Sequence, residues 1–126
     1  MGKRKILLID DSEITLALES AALEARGYDV RSATNLLDFE RVLSDFAPHL
    51  ILTDIGMPEV RGTDICRTLK GAYQTQDIPI VLFSSLAEDE LGRLAEQVGA
   101  DGYVSKAEGL DALGRKVDEL VESILW

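Results

Sequence analysis

The length, composition and charge of the chain exclude several classes of protein. Its 126 residues suffice for one domain with a buried core, and 46% hydrophobic with 29% charged residues is typical of a globular protein. Thirteen basic against twenty-three acidic residues give a net charge of -10, which argues against nucleic acid as a direct partner because phosphate backbones bind basic surfaces. The single cysteine, Cys66, excludes an internal disulfide. The apolar run Ile6 to Ile9 is too short for a signal peptide or a membrane span, so we expect a cytoplasmic protein without a membrane partner.

Apolar runs alternate with segments of helical periodicity from the start of the chain. The run Ile6 to Ile9 predicts a first strand that is buried on both faces, and Ser12 predicts the cap of a first helix. Gly27 predicts the end of that helix. Helical spacing assigns the apolar stripe of the helix to Ile14, Ala17, Leu18, Ala21 and Ala25.

The rest of the chain continues this alternation. Residues 28–33 predict a more polar strand at an edge of the sheet, and residues 36–46 predict a second helix, capped by Asn35 or Thr34. The remaining predicted elements are strands at 50–53, 78–83 and 102–104 and helices around 62–73, 91–98 and 110–124.

Five such units predict an α/β fold with a doubly wound, five-stranded parallel sheet and five helices. A closed barrel of this kind needs eight units, so we expect an open, flavodoxin-like sheet with the strand order 2-1-3-4-5. We expect residues 1–126 to form a single domain. In open sheets of this kind the binding site lies at the carboxyl ends of the strands.

The polar residues at those strand ends suggest a chemistry. Asp10 and Asp11 follow the first strand, Asp54 follows the third, Ser84 closes the fourth, and Lys106 comes after the fifth. Three carboxylates in one place raise each other's pKa unless a positive charge lies among them, and their oxygens suit Mg²⁺. A carboxylate can act as a nucleophile toward phosphorus, and phosphoryl transfer needs positive charge around the phosphoryl oxygens. The set therefore suits phosphorylation of an aspartate, and it includes no evident base aimed at a separate substrate.

Each of these residues also has a purely structural interpretation. Asp10 and Asp11 could cap the first helix, Asp54 and Ser84 could be turn residues, and an isolated lysine such as Lys106 is usually an exposed side chain. Taken singly, the structural interpretation is favoured in every case. Taken together, the functional one is favoured, because the five residues fall at the ends of four strands on one edge.

These residues and their spacing resemble the receiver domain of two-component response regulators. The resemblance covers essentially the whole chain, and the chain is similar to chemotaxis-type regulators that lack an attached output domain. The segments that carry it are Ile6 to Ser12, Asp54-Ile-Gly-Met-Pro58 followed by Gly62, Ile78 to Ser84, and Gly99 to Lys106.

The resemblance implies a role for each residue of the site. Asp54 matches the phosphoacceptor, and Lys106 matches the lysine that neutralises the phosphoryl group. Asp10 and Asp11 match the acidic pair that positions Mg²⁺, and Gly56 matches the residue whose backbone carbonyl is a further metal ligand, alongside Asp54.

The resemblance also implies a switch and its partners. Ser84 matches the hydroxyl residue that moves to meet the phosphoryl group, and Tyr103 matches the aromatic residue that turns inward in the active form. The phosphoryl donor would be a histidine kinase or a phosphotransfer protein. An output protein of unknown identity would bind the face made by the fourth helix, the fifth strand and the fifth helix, and the chain would catalyse only its own phosphorylation and dephosphorylation.

Three positions depart from the common pattern of this family. Ala107 replaces the proline that usually follows the lysine, so the isomer of the Lys106–Ala107 peptide bond is open. Gly56 lacks a side chain two residues after the acceptor, and Leu86 is apolar where polar residues are frequent. We expect Leu86 to shield an aspartyl phosphate from water and to lengthen its lifetime, and Gly56 to oppose that effect in part.

Other functions on the same architecture fit less well. The first alternative is a receiver-like interaction module that works without phosphorylation, although such proteins usually lack one of the acidic residues or the lysine. Asp10-Asp11-Ser12-Glu13 stands where a Rossmann domain has a glycine-rich loop and where a flavodoxin has a phosphate loop. A haloacid-dehalogenase-type phosphatase would have aspartate in place of Ser12.

Overall fold

A computed structural model describes residues 3–54 and 77–124 of the chain. They form one parallel sheet with the strand order β2-β1-β3-β4-β5, as predicted. The strands are β1 (Lys5–Ile9), β2 (Asp29–Ala33), β3 (Leu50–Thr53), β4 (Ile80–Ser84) and β5 (Gly102–Ser105). The helices are α1 (Glu13–Glu24), α2 (Leu36–Phe46), α3 (Glu88–Val98) and α4 (Leu110–Ile124), and a 3₁₀ turn spans Lys106–Glu108.

The described helices number four because the helix predicted around residues 62–73 lies outside the described residues. The fourth and fifth predicted helices are therefore α3 and α4. The predicted strand at 78–83 begins later, at Ile80, and ends at Ser84. Pro79 has no backbone N–H to donate, which is consistent with its place just outside the strand.

The sheet is covered on both faces, so alternate residues of its strands enter two separate cores. On one face Ile6 and Leu8 of β1 pack with the buried residues of α1 and α4. On the other face Leu7 and Ile9 pack with the buried residues of α2 and α3. This two-sided burial is the physical reason why β1, β3 and β4 are continuous apolar runs.

The predicted apolar stripe of α1 is wrong. Ile14 and Leu18 are 77% and 56% exposed, whereas Leu16, Glu19 and Leu23 are buried. Alanine contributes little to burial, so Ala17, Ala21 and Ala25, which the stripe contained, are a weak guide to orientation. The two large leucines, seven residues apart on one side of the helix, determine which side faces the sheet.

Caps fix where the first two helices begin. The Ser12 hydroxyl accepts a hydrogen bond from the Thr15 N–H at 3.2 Å, as predicted. Of the two caps considered for α2, the structure selects Asn35, whose side-chain oxygen accepts from the Asp38 N–H at 2.9 Å. Among the described residues, no helix combines the length and the apolar character that crossing a bilayer requires.

Candidate functional site

The pairing of β1 with β3 brings the first two acidic segments to one edge. Ile9 and Thr53 are paired across the two strands, so Asp10 and Asp54 follow at the same level. The Asp54 N–H donates to the Ile9 carbonyl at 3.1 Å, which extends the pairing by one residue. The Asp10 N–H likewise donates to the Ala33 carbonyl of β2 at 3.2 Å. The backbone of both aspartates is therefore held by the sheet itself, even though each residue lies just beyond its strand.

Asp10, Asp11 and Asp54 form an acidic cluster at this edge. One carboxylate oxygen from each residue lies within 4.8 Å of the other two. Asp10 is buried, Asp54 is half-buried and Asp11 is exposed, so the cluster opens to solvent on one side. Asp10 also accepts a hydrogen bond from the Ser12 N–H at 3.0 Å, which orients its carboxylate.

Lys106 brings a positive charge to the cluster. Its Nζ lies 3.4 Å from a carboxylate oxygen of Asp10 and 3.4 Å from one of Asp54. Partial burial alone would lower the pKa of Lys106, but the carboxylates of Asp54 and Asp10 outweigh this effect, so its pKa is raised. The ammonium also lies 5.7 Å from the centre of the Phe83 ring.

Ser84 lies on β4, beside the strand that precedes Asp54, and Tyr103 lies one strand further away, on β5. Ser84 is buried at the end of β4, and its Oγ accepts a hydrogen bond from the Leu86 N–H at 3.3 Å. Tyr103 on β5 is half-buried and packs against the core on the α2–α3 side of the sheet. A Cβ atom added to Gly92 would lie 3.0 Å from the Tyr103 hydroxyl oxygen, so the ring lies directly against the backbone of α3.

The structure describes two of the three unusual positions, Leu86 and Ala107. Gly56 lies outside the described residues. The described residues include no cis peptide bond, so the Lys106–Ala107 bond is trans. Leu86 is partly buried and packs against the core on the α2–α3 side.

Glu19 is an acidic residue of this region that sequence reasoning missed. It is only 3% exposed, on the face of α1 that packs against the sheet. Burial raises the pKa of Glu19 to about 7, and Asp10 contributes to the increase. Its position between Leu16 and Leu23 at helical spacing was the available signal, but it becomes readable only once the buried face of α1 is known.

The acidic cluster has the donor chemistry of a site for a hard divalent cation. Three carboxylates offer oxygen ligands, and the single charge of Lys106 leaves them with an excess of negative charge. An Asp54 carboxylate oxygen next to an ammonium could also react as a nucleophile toward an electrophilic phosphorus. The site is therefore suited to binding a cation and an incoming phosphoryl group side by side.

Comparison with known proteins places the chain in a family. Residues 6–118 match the model of the response regulator receiver domain. The chain is 36% identical over 117 residues to a gliding motility regulatory protein of Myxococcus xanthus, covering 92% of this chain and 15% of that protein. It is 34% identical over 106 residues to the phosphate regulon transcriptional regulatory protein PhoB of Pseudomonas aeruginosa, covering 84% of this chain and 46% of that protein. The chain thus spans about half the length of these curated relatives, or less.

Solved structures agree with this assignment. The signal receiver domain of a signal transduction histidine kinase from Syntrophus aciditrophicus has 30% identity and a TM-score of 0.84, with 96% of this chain and 92% of that chain covered. The chemotaxis protein CheY4 of Vibrio cholerae has a TM-score of 0.84 at 22% identity, with 94% and 98% covered, and supports the fold.

Receiver domains act as signalling switches of two-component systems rather than as classical enzymes, and as a family they interact with histidine kinases and output proteins. The match to the family model over most of the chain, the strand order of the sheet and the acidic cluster at its edge agree with one another. This chain belongs to the response regulator receiver domain family.

Proposed function

We propose that this chain is a phosphorylation-dependent switch in which Asp54 accepts a phosphoryl group from a phosphohistidine donor. The observation that carries this proposal is the position of Lys106, whose single ammonium lies 3.4 Å from both Asp54 and Asp10. An ammonium in that place lowers the cost of bringing a phosphoryl group to an already acidic edge. The donor would be a histidine kinase or a phosphotransfer protein in the cytoplasm.

The residues that would hold Mg²⁺ are Asp10, Asp11 and Asp54, with the backbone carbonyl of Gly56 as a further ligand expected from the family resemblance. The first three fit because their carboxylate oxygens already lie within 4.8 Å of one another. When bound, the cation supplies positive charge that offsets repulsion between the carboxylates and the phosphoryl oxygens. Asp10 is the most buried of the three, and the Ser12 N–H fixes its orientation.

The covalent step takes place at the carboxylate of Asp54. One of its oxygens attacks the phosphorus of the phosphohistidine, an O–P bond forms, and the P–N bond to the donor breaks with its electron pair staying on the imidazole nitrogen. Lys106 stays protonated throughout, because its raised pKa keeps the ammonium charged at neutral pH. It moves from sharing two carboxylates to pairing with the new phosphoryl oxygens.

The switch rests on Ser84 and Tyr103. The Ser84 hydroxyl accepts from the Leu86 N–H, and its own proton is available to donate to a phosphoryl oxygen. A shift of Ser84 toward Asp54 would draw on the loop before α3 and would open space for the Tyr103 ring. Tyr103 lies against α3, so its movement would alter the face made by α3, β5 and α4, where an output protein would bind.

The test is uptake of one phosphoryl group from acetyl phosphate, followed by intact mass spectrometry with and without Mg²⁺. The native protein should gain one phosphoryl group only with Mg²⁺, and Asp54→Asn should gain none. Asp29→Asn, at an exposed position of β2, is the matched control and should react like the native protein. No adduct, under conditions that phosphorylate another receiver domain, would favour the interaction module that works without phosphorylation.

A further inference from the structure

The turn that carries Lys106 is closed by hydrogen bonds at both of its ends. Strand β5 ends at Ser105, and residues Lys106–Glu108 form a single 3₁₀ turn. The Ser105 Oγ accepts from the Ala107 N–H at 3.3 Å at the start of the turn. At its end the Gly109 N–H donates to the Lys106 carbonyl at 3.2 Å, with Gly109 at a φ of 90° that favours glycine.

Ser105 is a buried polar residue whose position in the sheet is fixed. It is 6% exposed, and it pairs with Ser84 across β4 and β5. A buried hydroxyl is costly unless it is hydrogen-bonded, and the Ala107 N–H is the partner that the structure provides. The bond therefore ties the first peptide groups of the Lys106 turn to a residue that the sheet itself holds in place.

The position of the Lys106 ammonium depends on this turn. Lysine has a long, flexible side chain, so the direction in which it leaves the backbone determines what its end can reach. The Lys106 Nζ lies 3.4 Å from Asp10 and 3.4 Å from Asp54 at the same time, and 5.7 Å from the Phe83 ring centre. A rotation of the turn that favoured one carboxylate would withdraw the ammonium from the other.

Ala107 is what makes this arrangement possible. Proline at this position has no N–H and could not donate to the Ser105 hydroxyl. The chain thus combines a serine before the lysine with a residue after it that can donate a hydrogen bond. The buried Ser105 and the unusual Ala107 therefore act together to hold the start of the Lys106 turn.

We propose that Ser105 is a positioning residue for phosphoryl transfer to Asp54, acting through the Ala107 N–H on the direction of Lys106. The proposal rests on the proposed function, since it assigns Lys106 a part in that reaction. Ser105 acts on Lys106 through the backbone and takes no direct part in holding the cation or the phosphoryl group. A purely structural Ser105 would affect stability and leave the position and action of Lys106 unchanged.

The first experiment measures the rate of phosphorylation by acetyl phosphate with Mg²⁺. Ser105→Ala should slow phosphorylation about fivefold, the factor that corresponds to one hydrogen bond of about 1 kcal/mol. Ser105→Thr keeps a hydroxyl and should stay within about twofold of the native rate. Asn35→Ala removes a comparable hydrogen bond at the start of α2 and should lower stability without changing the rate.

The second comparison places proline at position 107. In an Ala107→Pro background the N–H is absent, so Ser105→Ala should produce no further slowing. An equal slowing with alanine and with proline at position 107 would overturn the proposal, because the hydroxyl would then act on another group. The proposal would also be overturned if Ser105→Ala reacted at the native rate, or if Ser105→Thr were slowed as much as Ser105→Ala.

A measurement that needs no phosphorylation separates this proposal from the proposed function. The Phe83 ring should shift the NMR signal of the Lys106 ε-methylene upfield relative to the exposed Lys3. Ser105→Ala should reduce that shift and Ser105→Thr should keep it, even in a protein that takes up no phosphoryl group. An unchanged shift in Ser105→Ala would contradict the positioning role, whereas an unreactive native protein with the expected shifts would contradict only the proposed function.

Discussion

The buried carboxyl of Glu19 should make the stability of the protein depend on pH. The residue is 3% exposed, and burial, together with Asp10 and Asp54, raises its pKa to about 7 from the ordinary value of 4.5, against an opposing effect of Lys106. Between pH 4.5 and about pH 7, the folded protein therefore keeps a proton on Glu19 that the unfolded chain has already released. The free energy of unfolding is unaffected by the ionisation of Glu19 below pH 4.5 and declines as the pH rises toward 7.

The magnitude follows from the difference between the two pKa values. The pKa of Glu19 is about 7 in the folded protein and 4.5 in the unfolded chain, and each factor of ten between the two acid dissociation constants corresponds to about 1.4 kcal/mol. The difference amounts to at most about 3 kcal/mol of unfolding free energy. Glu19→Gln keeps the shape and removes the charge, so it should be more stable than the native protein by up to this amount at pH 8. At pH 5 the difference should fall to about 1 kcal/mol or less, because Glu19 is then protonated in the folded protein and the pH is only slightly above the ordinary value of 4.5.

The assay is urea unfolding of both proteins from pH 5 to pH 8, in a buffer with a chelator that keeps divalent cations away from the acidic cluster. Glu24→Gln, an exposed change on the same helix, is the control and should follow the native curve. Parallel stability curves for Glu19→Gln and the native protein would mean instead that Glu19 ionises at its ordinary pKa in the folded state.

Three further predictions concern other parts of the molecule. The pKa of His49 is lowered by burial and by the nearby charges of Arg4 and Lys5, and its Nδ1 accepts from the Lys5 N–H at 2.9 Å. Acidification below pH 6.5 should therefore destabilise the native protein more than it destabilises His49→Asn, as measured by urea unfolding. Gly92→Ala should stabilise the Tyr103→Ala protein by about 1 kcal/mol, because alanine has the higher helix propensity. It should stabilise the native protein by less, because the new Cβ would contact the Tyr103 side chain. Thermal unfolding of the native protein, the two single variants and the double variant measures the difference. Leu86→Glu should shorten the lifetime of phosphorylated Asp54, measured as loss of the phosphoryl mass over time, because a carboxylate can orient the attacking water.

Each of these predictions has its own contrary result. For His49, equal loss of stability in both proteins on acidification would mean that its pKa is not lowered in the folded state. For Gly92, an equal gain in both backgrounds would mean that Tyr103 does not restrict position 92. For Leu86, Leu86→Ala removes the apolar side chain without adding a carboxylate, and an unchanged lifetime in Leu86→Glu would remove the assigned role of this position.

The part of the fold that could be predicted from the sequence is the part determined by chain-local patterns. Continuous apolar runs such as Leu50 to Leu52 identify strands that are buried on both faces, and the rule for parallel sheets then places Asp10 and Asp54 at one edge. The structure confirms the sheet and its order. Helix caps were readable for the same reason, since Ser12 bonds to an N–H only three residues away.

The parts that could not be predicted depend on packing between distant segments. The burial of Glu19 follows from the orientation of α1, and the alanine-rich sequence of that helix does not determine its orientation. Likewise, Lys106 and Asp10 are ninety-six residues apart, and no local pattern fixes the reach of a lysine side chain. Ser105 follows the predicted strand at 102–104, and only the folded structure shows that its hydroxyl accepts from the Ala107 N–H.

Chemical trapping can show directly whether Asp54 is the residue that accepts the phosphoryl group. Borohydride reduces an aspartyl phosphate to homoserine, and peptide mass spectrometry then identifies the position that carried the phosphoryl group. After treatment with acetyl phosphate and Mg²⁺, we expect homoserine at position 54 and at no other aspartate position, Asp10 and Asp11 included. Homoserine at another position, or none in a protein whose mass shows one phosphoryl group, would contradict this expectation.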